Sequence, residues 1–198
     1  MTDAIGHIRA ALAETGKQTS DFDLNPDTVL PQGRLLRPAG VLAPILEREG
    51  RLHLLLTKRS SALKHHPGQI AFPGGKQDEG DADVVAAALR EADEEIGLPS
   101  EIVDVLGVLP VHETVTGFSV TPVIAFVRET FELKPEPGEV EEVFTVPLDH
   151  VLNPANFLIQ SRRWRGARRH YFVVPCGPYY IWGATARMLR AWAERTTS

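Results

Sequence analysis

Apolar and polar positions alternate along this chain in ways that predict its elements. Ile5, Ile8 and Leu12 share one face of a short helix that Asp3 can cap. Residues 15 to 38 are polar and punctuated by Pro and Gly, and predict an extended connection. Val41 to Leu46 and Leu52 to Thr57 predict two strands joined by a turn at Glu47 to Gly50. Residues 60 to 82, rich in Gly, Pro, His and Asp, predict mostly loop. Val84 to Ile96 predicts a helix with Gly97 just past its end. Apolar runs at 102–111 and 119–127 predict strands, and so does Val140 to Val146 after a break at Pro135 to Gly138. One or two helical turns at Pro147 to Leu152, short strands at Tyr171 to Val174 and Tyr179 to Trp182, and a helix at Ala184 to Glu194 complete the pattern. Strands mixed with two or three helices imply an α/β fold, with helices packed on a mixed sheet. No repeat or low-complexity linker divides the chain. Residues 1–37 form an N-terminal helix and connection, and residues 38–198 form one domain.

Composition narrows the setting. The 198 residues carry a formal net charge of -5, so the overall field opposes a nucleic-acid backbone and no nucleic-acid partner is expected. An anionic substrate then needs a local cation, either a metal ion or a basic patch. Cys176 is the only cysteine, which rules out an intrachain disulfide and suits a reducing compartment. The opening MTDAIGHIRAALAETG is a poor signal peptide. No stretch approaches the roughly 20 apolar residues of a membrane span. A cytoplasmic location without a membrane partner is the expectation.

The chemistry concentrates in Arg90-Glu91-Ala92-Asp93-Glu94-Glu95-Ile96-Gly97-Leu98. Glu91, Glu94 and Glu95 stand at i, i+3 and i+4, so their carboxylates share one helical face. Val84, Ala88, Ala92 and Ile96 lie on the opposite face and can pack inward. Three clustered anions are either a solvated acidic face or ligands for a hard divalent ion, which takes oxygen donors from protein, water and phosphate. Arg90 can pair with one acid and orient it. Phe72-Pro73-Gly74-Gly75 precedes the helix, and paired glycines let backbone approach a ligand or metal closely.

Gly75 followed by the Arg90-to-Leu98 run resembles the Nudix box. That motif reads Gly, five residues, Glu, seven residues, Arg-Glu, an apolar residue, any residue, Glu-Glu, any residue, Gly and an apolar residue. The second half matches throughout. In the first half the spacing from Gly75 to Arg90 is one residue longer, and Ala82 stands where the first Glu is counted back from Arg90. Asp81 or Asp83 is its candidate substitute. Leu55-Leu56-Thr57-Lys58-Arg59-Ser60 and Gly68-Gln69-Ile70-Ala71-Phe72-Pro73-Gly74-Gly75 look like the additional motif of the CoA pyrophosphatase subgroup. The longer box, the Gly80-Asp81 pair and the run Ile181 to Arg187 are also similar to that subgroup, while Lys64 replaces a usual arginine. The resemblance spans residues 38 to 190. It implies a Nudix-like α/β/α sandwich with a mixed β-sheet in a single domain. It also implies cleavage of the CoA or acyl-CoA diphosphate to 3′,5′-ADP and phosphopantetheine or its acyl form.

On that reading Mg²⁺ or Mn²⁺ is the cofactor, held chiefly by Glu91 and Glu95. Glu94 is either a third ligand or the general base, and Arg90 joins Glu91 and Glu94 in the catalytic set. Arg59, Lys64, Gly74 and Gly75 are the candidate substrate contacts. Lys58, His65 and His66 are nearby basic groups, with a solvated loop the plainer reading of the histidines. An acid from Glu139, Glu141 or Glu142 can complete the site from a loop, or these residues form a solvated strand edge. The basic run Arg162, Arg163, Arg165, Arg168 and Arg169 reads best as a solvated hairpin, with Trp164 either stacking on adenine or packing on the sheet. Cys176 is read as inert, and Trp182 and Met188 as packing residues. The expected partner is a small nucleotide substrate, and a homodimer is compatible with the reading. The competing functions are hydrolysis of another nucleoside diphosphate derivative, such as ADP-ribose or a dinucleotide, and a non-catalytic Nudix-fold sensor.

Overall fold

A computed structural model describes residues 2–30, 33–164 and 166–196. The chain runs through α1 (Thr2–Ala13), β1 (Thr19–Ser20), β2 (Arg37–Arg48), β3 (Arg51–Arg59), β4 (Ile70–Ala71), β5 (Gly74–Lys76) and α2 (Val84–Ile96). There follow β6 (Val103–Val108), β7 (His112–Glu113), β8 (Phe118–Val127), β9 (Val140–Pro147) and α3 (Leu148–Val151). The last elements are β10 (Leu158–Trp164), β11 (Ala167–Cys176), β12 (Tyr179–Trp182) and α4 (Ala184–Thr196).

Among the described residues, β1 to β9 form one mixed sheet and β10 to β12 a second, antiparallel one. Strand alternation sends neighbouring side chains to opposite faces of the large sheet. Leu42, Leu55, Val123 and Ala125 pack beneath Ala88, Ala92 and Ile96 of α2. Ala43, Ile45, Leu54, Leu56 and Ile124 pack on the other face with Ile8 and Leu12 of α1 and Leu189 and Trp192 of α4. The result is a single α/β/α sandwich. Helix α1 starts at Thr2, so Asp3 lies in its first turn rather than capping it.

The sheet contains a wedge that positions the glycine run. Strands β2 and β3 turn tightly through Glu49 and Gly50, both at positive φ. Such a turn matches the twist of a two-residue hairpin. The two strands pair only from Arg48↔Arg51 to Ile45↔Leu54, and then diverge. Into the gap come β4, paired with β3 at Thr57↔Ala71, and β5, paired with β2 at Val41↔Gly74 and Gly40↔Gly75. The stretch expected to be loop therefore holds two short strands. A run of Gly and Pro has little strand propensity, and the splayed strands supply its pairing.

Helix α2 matches the sequence expectation at both ends. The Asp83 carboxylate accepts hydrogen bonds from the Val85 and Ala86 amides, 2.9 Å each. These satisfy two of the helix's first free N–H groups. Gly97 ends the helix at φ 70°, with its N–H on the Asp93 carbonyl and the Leu98 N–H on that of Ala92. Glycine adopts that left-handed state without strain.

The connection before β2 is tied down by a buried polar chain. His112 is fully buried, with Nδ1 2.9 Å from the Thr19 hydroxyl and Nε2 3.2 Å from Asp21 Oδ1. Asp21 Oδ2 accepts the Val115 N–H at 2.8 Å. Replacing the imidazole leaves buried polar partners unsatisfied beside a void. His112→Ala is expected to lower unfolding free energy by roughly 2–4 kcal/mol. Urea denaturation reads this as a lower midpoint with an unchanged slope.

Candidate active site

The site forms where the second half of α2 meets β5. Glu95 is 5% exposed, and its Oε2 accepts the Gly74 N–H at 3.3 Å. Glu91 lies against Gly75, where a Cβ would stand 2.5 Å from the carboxyl carbon. Gly74 sits at φ 148°, and its Cβ would meet the Gly40 carbonyl oxygen at 2.4 Å. Both glycines are therefore fixed by close approach, and Gly75 leaves room for a carboxylate.

Burial dominates the electrostatics. Loss of water pushes the Glu95 carboxyl up to about 8, only partly offset by the Gly74 N–H and the charge of Arg59. Glu139 and Glu91 push it further up. Burial also raises Glu91, against the opposing pull of Arg90, while Glu94 and Glu139 add repulsion. Two desolvated carboxyls held side by side resist ionisation unless a cation joins them.

Arg90 organises the surrounding acids. Its Nε and Nη2 donate to the two oxygens of Asp81 at 2.9 and 3.0 Å, a two-pronged pair. Its Nη1 donates to Glu91 and to Glu94, 3.0 Å each. Asp81 also accepts the Asp78 N–H at 2.8 Å. Hydrogen bonds from Arg90 hold Asp81 below the usual carboxylate range, and the same contacts push Arg90 further up. The two aspartates beside Ala82 thus separate by task. Asp83 caps the helix, while Asp81 anchors Arg90. Glu94 differs from its neighbours, with its side chain 63% exposed.

Arg59 ends β3 on the same side as the glutamates, and its charge acts on Glu95. Lys58 is engaged elsewhere, with Nζ 2.6 Å from Glu141. Glu142 accepts the Tyr179 hydroxyl at 2.7 Å. Those two acids are strand-edge partners, but Glu139 is not. The loop before it bonds to the last turn of α2, Lys134 N–H to Ile96 and Glu136 N–H to Glu95, and Ser60 N–H binds the Glu139 carbonyl. The exposed Glu139 carboxylate consequently acts on both Glu91 and Glu95. Lys64, His65 and His66 are exposed in the loop after β3.

Among the described residues no three acidic, His or Cys groups converge to cage an ion unaided. The pair Glu91 and Glu95, both with raised affinity for protons and with Glu91 set against Gly75, still fits a hard divalent ion. Such an ion commonly takes one or two carboxylates and completes its shell with water and phosphate.

The remaining sequence candidates lie on the second sheet or, for Met188, in α4. Arg162 and Arg163 pair with Arg169 and Arg168 across the β10–β11 hairpin, a strand pair longer than the sequence predicts. Arg162 lies 4.6 Å over the Trp182 ring, which Tyr171 meets edge-on at 5.3 Å. Arg165 and the side chain of Trp164 lie outside the described residues. Met188 is buried, and burial pushes the half-buried Cys176 thiol up, away from a reactive thiolate. No described helix is long and apolar enough to cross a membrane.

Comparison with known proteins places this geometry. The NUDIX domain family model matches residues 36–167. The chain is 40% identical over 179 residues to a protein of Enterobacter sp. (strain 638) designated an uncharacterized Nudix hydrolase NudL, covering 85% of this chain and 93% of the relative. A NudL of Klebsiella pneumoniae (strain 342) is 40% identical over 182 residues, covering 86% and 94%. The MutT protein from Methanosarcina mazei Go1 shares the fold with a TM-score of 0.53 at 19% identity, over 84% of this chain and 96% of that one. The chain therefore belongs to the Nudix hydrolase family.

Proposed function

We propose that the protein is a divalent-metal-dependent pyrophosphohydrolase that cleaves the diphosphate of CoA or acyl-CoA to 3′,5′-ADP and phosphopantetheine or its acyl form. The observation that carries the substrate assignment is the run from Leu55 to Gly75. It resembles the CoA-subgroup motif, and within it Arg59 and Gly74-Gly75 adjoin the helix glutamates.

The residues then divide the work. Glu91 and Glu95 hold Mg²⁺ or Mn²⁺, with Glu94 as a third ligand or as the base that takes a proton from the attacking water. A bound ion would neutralise charge on the phosphoryl oxygens and lower the pKa of a coordinated water. Arg90 fixes the carboxylates of Glu91 and Glu94 against Asp81. Arg59 and Lys64 offer positive charge to the diphosphate or the ribose 3′-phosphate. Gly74 and Gly75 are the proposed backbone contacts of the substrate, and their missing side chains leave room for the Gly40 carbonyl and the Glu91 carboxylate.

The test is hydrolysis of CoA with products resolved by chromatography, with Mg²⁺, Mn²⁺ or chelator. Release of 3′,5′-ADP only with metal, and its loss in Glu95→Gln, is the expected result. If CoA, acyl-CoA and oxidised CoA all stay intact while ADP-ribose or a dinucleotide is cleaved, the substrate assignment falls. Inactivity on every diphosphate would favour a sensor.

A further inference from the structure

Two surfaces of opposite charge face solvent on this chain. The first is the outer half of the β10–β11 hairpin. Its register sets Arg162 directly opposite Arg169, and Arg163 opposite Arg168. Like charges facing each other across a strand pair repel, so the arrangement costs stability unless anions neutralise it. Arg162 stacks 4.6 Å over the Trp182 ring, and Arg169 lies 5.9 Å over the Phe22 ring. Arg163 and Arg168 belong to the other face of the hairpin. Both are exposed and, among the described residues, neither meets an acid. Ile159 shares their face, four residues before Arg163, and is 57% exposed.

The second surface is a groove of about 450 Å³ between the β2–β3 turn and the segment after β8. Leu46, Leu55, Phe131 and Leu133 give it an apolar lining, and Leu133 remains 37% exposed. Glu47, Glu49 and Glu129 also line it, all exposed and, among the described residues, without an ion pair. They outnumber the two arginines there, which are held by other groups, Arg48 by the Thr145 hydroxyl at 3.1 Å and Arg128 by the Glu101 carbonyl. The segment that forms one wall continues from Glu129 to Glu139 with four glutamates and one lysine. The field over the groove is therefore negative.

We propose that a second copy of this chain covers both surfaces, with the β10–β11 hairpin of each copy seated in the groove of the other. Arg163 and Arg168 then meet the carboxylates of Glu47, Glu49 and Glu129, which relieves the repulsion within each set. Ile159 and Leu133 lose exposed apolar area in the same contact. Each chain carries one hairpin and one groove, so a two-fold axis makes the two contacts equivalent. Reciprocity also doubles the buried area, towards the roughly 1,200–2,000 Å² of a stable interface. Both halves reside on one chain and are present in equal amounts without any further component.

The experiment follows the mass of the full chain by sedimentation velocity over a range of protein concentrations, at low and high salt. Wild type is compared with Arg163→Glu/Arg168→Glu and with Glu47→Lys/Glu129→Lys. All four positions are exposed, and circular dichroism checks that each variant is folded. Wild type is expected to dimerise, more weakly at about 0.5 M salt than at about 0.05 M, because salt screens exposed charges. Each reversed variant alone should dissociate roughly tenfold or more readily. An equimolar mixture of the two should dimerise as wild type does, since both hairpin–groove contacts of the mixed pair regain opposite charges. Arg163→Gln and Glu129→Gln repeat the comparison without charge reversal, and each should weaken the dimer. Wild type that stays monomeric at every concentration overturns the proposal and leaves the arginines to an anion outside this chain. A dimer that the variants retain in full, or a mixture that associates no better than its parts, puts the interface elsewhere and overturns it as well.

Discussion

Glu95→Gln lowers metal-dependent turnover by about a hundredfold or more and at the same time stabilises the metal-free protein above neutral pH. The first effect follows from the proposed role of Glu95 as an anionic oxygen ligand of the metal. The second follows from burial. The Glu95 carboxyl ionises near 4.5 in an unfolded chain and only near 8 in the fold, because burial disfavours its anion. Between those values the folded state holds a proton that the unfolded state has released, so stability falls as pH rises through this window. Below pH 4.5 both states are protonated and the substitution has little electrostatic effect. Above pH 8 the full difference is present, up to a few kcal/mol. Thermal unfolding in chelator should show the variant's advantage absent at pH 4 and growing towards pH 8. Titration with Mn²⁺, followed by electron paramagnetic resonance, should show weaker binding in the variant. A variant less stable than wild type at pH 9, or one with unchanged turnover, contradicts this account of Glu95.

Helix α2 could be read from sequence because its signals are local. A capping aspartate, an alanine-rich inner face and a terminal glycine each act within a few residues. The hairpin of β2 and β3 was legible for the same reason. Strands β4 and β5 were not, since they exist only because β2 and β3 diverge around them, and that divergence is a property of the whole sheet. The arginine run reads as a hairpin in the sequence, as it is, but the start of β10 at Leu158 to Ser161 was not legible, because it carries no apolar alternation. Its pairing with β11 is what makes it a strand.

The site divides in the same way. The helical spacing of Glu91, Glu94 and Glu95 was visible, but it treats all three carboxylates alike. Tertiary packing then distinguishes them, with Glu95 under the glycine strand, Glu91 against Gly75 and Glu94 in solvent. The choice between Asp81 and Asp83 was nearer to hand. An aspartate immediately before the first helical residue is a cap, which leaves Asp81 to pair with Arg90. Glu139 carried no local signal that set it apart from Glu141 and Glu142. Its nearness to the glutamates comes from backbone bonds between its loop and the last turn of α2.

Arg90→Lys is expected to reduce turnover by roughly 10–100-fold, the range found when residues that orient metal ligands are changed. An ammonium keeps the charge, so any loss must come from geometry. The guanidinium spends Nε and Nη2 on the two oxygens of Asp81, and that fork aims Nη1 at both Glu91 and Glu94. A lysine cannot grip Asp81 with one edge while holding two further acids with another. Arg90 is therefore a positioning residue on this view, and kcat should fall while KM for the diphosphate changes little. Glu94→Gln separates the two roles left open for that side chain. A base gives a loss of turnover with Mn²⁺ affinity retained, whereas a ligand gives a parallel loss of both. Asp81→Asn offers the complementary check, because it breaks the anchor without touching any carboxylate beside the ion. If Arg90→Lys and Asp81→Asn are both near wild type in kcat, the orienting network is not needed for catalysis. If both fall together, and the double variant falls no further than either, the fork between Asp81 and Arg90 acts as one unit that sets the aim of Glu91 and Glu94.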